Sequence, residues 1–83
     1  SIDRFGREFD LAISNGSSSI GWTELSTIRN RMCQTLGISS EEFYHFAKQL
    51  IDQHQNRYEL STGGAEGVLV RGLVHGFVRC IQQ

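Results

Sequence analysis

The feature that most limits the fold of this chain is a four-residue turn, Leu36-Gly37-Ile38-Ser39, between two amphipathic helical patterns. Gly37 stands where a helix commonly ends on a left-handed residue. Ser39 and Glu42 form a capping-box pair, which predicts that a new helix begins directly after Ser39. The alternating segment Arg57-Tyr58-Glu59-Leu60 then predicts a half-buried strand. Residues 23–60 are therefore predicted to form helix, tight turn, helix and strand.

Three segments repeat apolar residues every three to four positions, which predicts three amphipathic helices. Asn15-Gly16 is expected to end the first helix, and Thr23 or Ser26 to cap the start of the second. Between them, Ile20 is predicted to form a brief strand, with Trp22 as a core anchor. The apolar stripes are Ile2, Phe5, Phe9, Ala12 and Ile13 in the first helix, Leu25, Ile28, Met32 and Leu36 in the second, and Phe43, Phe46, Ala47, Leu50 and Ile51 in the third.

The chain after residue 60 is rich in glycine and valine. Residues 63–67 favour a turn, which would place Glu66 at the tip of a hairpin. Residues 68–81 are predicted to return as an extended strand with a bulge or kink, because valine favours strands and glycine interrupts them. The same residues also carry an apolar side chain at every fourth position from Leu69 to Ile81, so a terminal helix is the alternative. Each glycine would cost that helix about 1 kcal/mol relative to alanine.

These patterns predict an α+β fold with three helices and a small antiparallel sheet, and the alternative is an all-α fold with a C-terminal helix. At 83 residues with 39% hydrophobic content, residues 1–83 are expected to form a single domain. Because the sequence opens at Ser1 without methionine, we expect a fragment of a longer protein. No run of about 18 apolar residues or signal peptide is present, so an intracellular location, cytoplasmic or nuclear, is expected.

Several function classes are disfavoured by what the sequence lacks. Cys33 and Cys80 are expected to be buried reduced thiols, although a disulfide between them stays open. No C-x2-C or H-x3-5-H pair suggests a metal site, and no glycine-rich phosphate-binding motif suggests a nucleotide cofactor. The Ser, His and Asp residues form no catalytic motif. We therefore expect neither an enzyme nor a bound cofactor.

The order of the predicted elements resembles the winged helix-turn-helix family over most of the chain. The resemblance rests on the Leu36-Gly37-Ile38-Ser39 turn, the Tyr58-Glu59-Leu60 strand and the closing hydrophobic strand. It implies that helix three enters the major groove of duplex DNA, that helix two braces the backbone, and that the hairpin wing touches phosphate or the minor groove.

Carried onto this sequence, the resemblance assigns base reading to the side of helix three that lies opposite its apolar stripe, and phosphate contact to basic residues around it. The base-reading candidates are Ser40, Tyr44, His45, Lys48 and Gln49. The phosphate-contact candidates are Arg29, Arg31, Arg57 and Arg71. The expected function is a DNA-binding module of a larger or oligomeric regulator.

The charge balance supports an alternative function without DNA. Eight Lys and Arg residues against nine Asp and Glu residues give a net charge of −1, whereas nucleic-acid-binding domains are usually basic. Residues 39–56 hold Glu41, Glu42 and Asp52 against Lys48 alone. The alternative is a winged-helix module for protein interaction or assembly, whose partner is a protein. If DNA is the partner, a homo-oligomer or a basic neighbouring domain is expected to supply further cations.

Overall fold

Three helices and five short strands make up the computed structural model, which describes residues 2–18 and 20–81. The side chain of Ile2, predicted for the first apolar stripe, lies outside the described part, as does Ser19. In chain order the elements are α1 (Ile2–Gly16), β1 (Thr23–Glu24), α2 (Leu25–Leu36), α3 (Ser40–Gln53), β2 (Tyr58–Ser61), β3 (Val68–Val70), β4 (Leu73–His75) and β5 (Phe77–Cys80).

The strands form two antiparallel sheets. A three-stranded sheet has the order β1-β5-β2, and β3 and β4 form a separate hairpin, which we call the wing. The predicted α+β class is confirmed, and the arrangement is that of a winged helix-turn-helix. The alternative of a C-terminal helix is wrong, because Arg71 and Gly72 take positive φ angles of 53° and 78° and reverse the chain. The predicted single closing strand is instead three strands.

The core lies between the helices and the inner face of the three-stranded sheet. Phe9 and Phe43 are fully buried, with ring centroids 6.3 Å apart, and Phe5 packs on both. Tyr58 from β2 meets Phe9 edge to face at 5.6 Å, so the sheet joins the same aromatic cluster. The predicted apolar stripes of α1, α2 and α3 supply most of the remaining buried residues.

The turn between α2 and α3 forms as the sequence predicts. Gly37 is left-handed with φ 66°, and its N–H donates to the Cys33 carbonyl at 2.9 Å. At the start of α3, the Glu42 N–H donates to Ser39 Oγ and the Ser39 N–H donates to Glu42 Oε1, which completes the capping box. The backbone hydrogen bond from Ser39 to the Glu42 carboxylate, and then the Ser39 side chain, lower the pKa of Glu42. Two orphan amides are thereby satisfied without any tertiary partner.

The start of α2 differs from the prediction. Neither Thr23 nor Ser26 caps this helix, because Glu24 occupies the N-cap position and its side chain makes no capping bond. The Thr23 hydroxyl instead donates to the Ile13 carbonyl of α1 at 3.1 Å. The first amide of α2, on Leu25, donates to the carbonyl of Gly76 at 2.8 Å. A residue 51 positions away in the sequence thus caps the helix, which local patterns cannot reveal.

Ile20 and Trp22 also differ from their predicted roles. Ile20 is 71% exposed in a turn, and Gly21 follows it with φ 86°, so the first strand forms three residues later at Thr23. Trp22 is half-buried outside the core, where the Arg79 guanidinium covers its ring at 4.6 Å. Both residues therefore lie at or near the surface and not in the core.

The base of the wing is a close crossing of two backbone segments. The Gly76 N–H donates to the Gly63 carbonyl at 2.8 Å, and the Gly63 N–H donates to the Val74 carbonyl at 3.0 Å. A Cβ atom on Gly67 would lie 2.1 Å from the His75 carbonyl oxygen, and one on Gly76 would lie 2.3 Å from that of Gly63. Residues 63–67 are therefore a packed crossing, and the prediction of a hairpin tip there is wrong.

The two cysteines do not form a disulfide. Cys33 is half-buried and Cys80 is exposed, and both are free thiols, so the predicted burial is wrong for Cys80. None of the helices in the described residues has the length and apolarity needed to cross a membrane.

Candidate nucleic-acid interface

Four of the predicted base-reading residues lie together on the outer side of α3. Tyr44, His45, Lys48 and Gln49 line one shallow, open depression, with Asp52 at its end. This grouping follows from helical spacing, since residues three and four apart share a face. Lys48 Nζ donates to Asp52 Oδ2 at 3.0 Å, an exposed pair of the kind that contributes little to stability. Ser40, the fifth candidate, is exposed at the first position of α3.

Tyr44 turns its hydroxyl away from this surface. The ring stands edge-on to Phe43 at 4.9 Å, and the hydroxyl is shut off from solvent without a hydrogen bond of normal geometry. Burial, and then the negative charge of Glu66, raise the pKa of Tyr44 to about 12. The ring therefore lines the depression, while the hydroxyl lies near Glu66 and Arg29.

Arg29 and Glu66 form an ion pair behind Tyr44. Arg29 Nε lies 2.5 Å from Glu66 Oε1, and the Arg29 side chain is 23% exposed. The hydrogen bond to Glu66 raises the pKa of Arg29. This pair ties α2 to the loop that precedes β3, so the structure does not bring Arg29 to the surface as a free cation. It also explains Glu66, whose carboxylate points to α2 and not to the wing tip.

The tip of the wing is formed by Arg71 and Gly72. Both have positive φ, and Val70 pairs with Leu73 on either side of them, which defines a two-residue type I′ turn. Such turns favour Gly, which has no Cβ atom, or Asn, whose short polar side chain hydrogen-bonds locally, whereas most other residues are strained there by about 1 kcal/mol. Among the described residues, Arg71 is the one residue other than glycine that has a positive φ, and its side chain is exposed.

The wing also exposes large apolar side chains. Leu69 is 61% exposed, and Val74, directly opposite it, is exposed on the same face of the hairpin. Leu73 is 59% exposed but pairs with Val70, so it lies on the other face near the tip. The opposite face of β3 is anchored, since Val68 is buried. An exposed apolar patch on a small domain commonly marks an interaction site.

The remaining basic candidates differ in whether they form ion pairs within the chain. Arg57 Nη2 lies 2.7 Å from Asp10 Oδ2, and the Tyr58 hydroxyl donates to Asp10 Oδ1 at 2.5 Å, so Arg57 belongs to a network between α1 and β2. Arg31 on α2 is exposed. The residues Arg4, Arg7, Arg31 and Arg71 make no ion pair with any other described residue, whereas Arg29, Lys48, Arg57 and Arg79 each make one.

Comparison with protein-family models, with curated proteins and with solved structures gave no match. The class that the structure itself defines is the winged helix-turn-helix architecture, with an outward helix face and a wing. Sequence reasoning missed the exposed apolar wing and the pairing of Arg29 with Glu66. The available signal for the hairpin is Gly72 between the apolar runs that end at Val70 and begin at Leu73, because a glycine between two strand-like segments favours a tight turn.

Proposed function

We propose that this chain is a winged-helix module that binds double-stranded DNA as part of a larger or oligomeric regulator. The observation that carries the proposal is Arg71, a charged residue held in a strained left-handed conformation at the tip of the wing. Local strain that a glycine or asparagine would relieve is retained where the residue serves another purpose. An unpaired guanidinium at the most outward point of the wing suits phosphate or minor-groove contact.

The outer side of α3 supports the same proposal. His45, Lys48 and Gln49 are exposed along its middle two turns and carry the donors that read base edges in the major groove. The capping box accounts for Glu42, and Arg29 neutralises Glu66, so both of these carboxylates have local partners. Tyr44 acts as a packed support for this face and not as a hydrogen-bond donor.

A salt titration of DNA affinity tests how many phosphates the chain contacts. Arg31, Lys48 and Arg71 are counted as the exposed candidate cations, since Arg57, although also exposed, is held by Asp10. Neutralising about three phosphates predicts a slope of roughly −2.7 for log K against log salt, so affinity should fall about 40-fold between about 50 and 200 mM salt. Binding to duplex DNA that is insensitive to salt, or absent at the lower concentration, would contradict the proposal.

The variant Arg71→Asn should weaken DNA binding without lowering the stability of the fold. Asparagine is favoured in a type I′ turn, so the variant should be as stable as the parent or more stable by up to about 1 kcal/mol. DNA binding should weaken, and the salt slope should become shallower by about 0.9. Arg4→Gln is the matched control, because Arg4 lies on α1 beside Phe46, on the far side of α3 from Tyr44. Equal loss of binding in both variants would show that only net charge matters.

The second candidate function is a protein-interaction or assembly module. The exposed cross-strand pair Leu69 and Val74 on one face of the wing favours it, because the pair offers apolar area that DNA phosphates do not need. A double variant, Leu69→Thr with Val74→Thr, removes the apolar pair from this face and keeps strand-compatible residues in the hairpin. If this candidate function is right, the double variant should lose partner binding while duplex affinity stays unchanged.

A further inference from the structure

The outer face of the three-stranded sheet carries a second row of functional groups, far from α3. Glu24, Phe77 and Ser61 are direct cross-strand neighbours, since both Glu24 and Ser61 pair with Phe77. Directly opposed residues in antiparallel strands point to the same side. The adjacent row contains Thr23 and Val78, which are buried against the helices. Because side chains alternate along a strand, the Glu24-Phe77-Ser61 row faces outward.

The next outward row shows how this face holds a guanidinium. Arg79, opposite Glu59 in the register, donates from Nε to Glu59 Oε1 at 2.6 Å. Its guanidinium also lies 4.6 Å from the centre of the Trp22 ring. A carboxylate on one side and an aromatic face on the other thus bind an arginine of the chain itself.

Phe77 and Glu24 repeat this aromatic and carboxylate combination without a cation. Glu24 makes no ion pair with any described residue, and its one polar contact is a long hydrogen bond of 3.4 Å from Ser26 Oγ. A cleft of about 510 Å³ lies over the pair. Its walls add apolar and hydroxyl groups from neighbouring segments. The residues that line it include Ile20, Trp22, Glu24, Thr27, Ser61 and Phe77.

The charge of the cleft selects the ligand. Glu59 is neutralised by Arg79, which leaves Glu24 as the unpaired charge of this face among the described residues. The start of α2 adjoins the cleft and would otherwise attract an anion, but its first amide already donates to Gly76 and Glu24 sits at its N-cap. A cation is therefore favoured, and planar guanidinium fits an aromatic face and a carboxylate together better than ammonium does.

We propose that this cleft binds an arginine side chain from a peptide segment of a partner protein, with the guanidinium between the Phe77 ring and the Glu24 carboxylate. The segment is extended along the open sheet face, and the hydroxyls of Thr27 and Ser61 accept its remaining donors. This inference concerns a surface separate from α3 and the wing, and it holds whether or not the chain binds DNA.

The test is a titration of the whole chain with the peptide acetyl-Gly-Arg-Gly-amide, followed by amide NMR shifts and by fluorescence of Trp22, the chain's sole tryptophan. The expected result is shifts at Thr27, Ser61 and Phe77 together with a change in Trp22 emission. Glu24→Gln, which keeps the side-chain volume, should weaken binding about fivefold, the upper range for exposed ion pairs. Glu41→Gln, the same charge change on exposed α3, should leave binding unchanged.

Several outcomes would overturn the proposal. Shifts confined to other surfaces would place the arginine elsewhere, and equal binding of acetyl-Gly-Gln-Gly-amide would show that the guanidinium is not recognised. Unchanged affinity in Glu24→Gln, with a folded amide spectrum, would remove the carboxylate from the site. Inorganic phosphate that shifts Thr27 and Ser61 in place of the arginine peptide would show an anion site. Because these experiments contain no DNA, they leave the DNA proposal to its own titration.

Discussion

Replacing Gly76 by alanine tests whether the glycine crossing holds the wing and the helices together. Gly76 has no positive φ, so alanine adds no backbone strain, and the whole effect is steric. The new Cβ atom would lie 2.3 Å from the Gly63 carbonyl oxygen and 2.6 Å from that of Glu66. Both obstacles are backbone atoms, which cannot rotate away as a flexible side chain can.

Relief of this clash requires the two segments to separate by about 1 Å, given ordinary contact distances of roughly 3.5 Å. That movement weakens the hydrogen bond from Gly76 to Gly63 and the one from Leu25 to Gly76, both now 2.8 Å long. Overpacking costs about 1–3 kcal/mol, and each buried polar group left unpaired costs about 1–3 kcal/mol more. We expect Gly76→Ala to lower the free energy of unfolding by about 3–5 kcal/mol, a large share of the roughly 4–12 kcal/mol typical of 83 residues.

The assay is urea unfolding followed by circular dichroism and by Trp22 fluorescence, with Gly72→Ala as the control. Gly72 has φ 78° but nothing within 4 Å of a new Cβ atom, so alanine there should cost only about 1 kcal/mol of backbone strain. If Gly76→Ala proved no more destabilising than Gly72→Ala, the close crossing and the reasoning from it would be refuted.

Two further changes test the capping box and the network at Asp10. Ser39→Ala removes the hydroxyl that accepts the Glu42 N–H, and it should lower the free energy of unfolding by about 1 kcal/mol; an unchanged urea midpoint would contradict the role of the cap. Tyr58→Phe removes the hydrogen bond to Asp10 and should cost about 1–2 kcal/mol at pH 7. Burial raises the pKa of Tyr58, so its contribution is full below the unfolded pKa of about 10 and is lost as pH rises further. The parent chain should therefore lose stability above about pH 10 more steeply than Tyr58→Phe, as alkaline unfolding curves would show.

The parts of the fold that local chemistry dictates could be predicted from the sequence. Gly37 and the Ser39-Glu42 pair define their turn through bonds that span three or four residues. Helical periodicity likewise identified the buried stripes and grouped His45 with Lys48 on one surface. In each case the determining partners are neighbours along the chain, so the pattern contains the information.

The errors arose where distant residues decide the structure. The sequence does not reveal that Gly76 caps α2, so capping was assigned to Thr23 and Ser26. The pairing of Glu66 with Arg29 joins residues 37 positions apart, and without it Glu66 was placed at the wing tip. Trp22 was assigned to the core by its size, whereas cover by Arg79 satisfies it at the surface. Long-range contacts of this kind override local preference.

The contacts that anchor the wing and the residues that the wing exposes lie at opposite ends of the hairpin. Its constraints are concentrated at the glycine crossing, while the turn at Arg71-Gly72 has open space around it. The tip can therefore be lengthened or exchanged for another sequence at small energetic cost. For protein engineering, residues 71 and 72 are a grafting position, where a library of loops can be displayed while the base keeps its geometry.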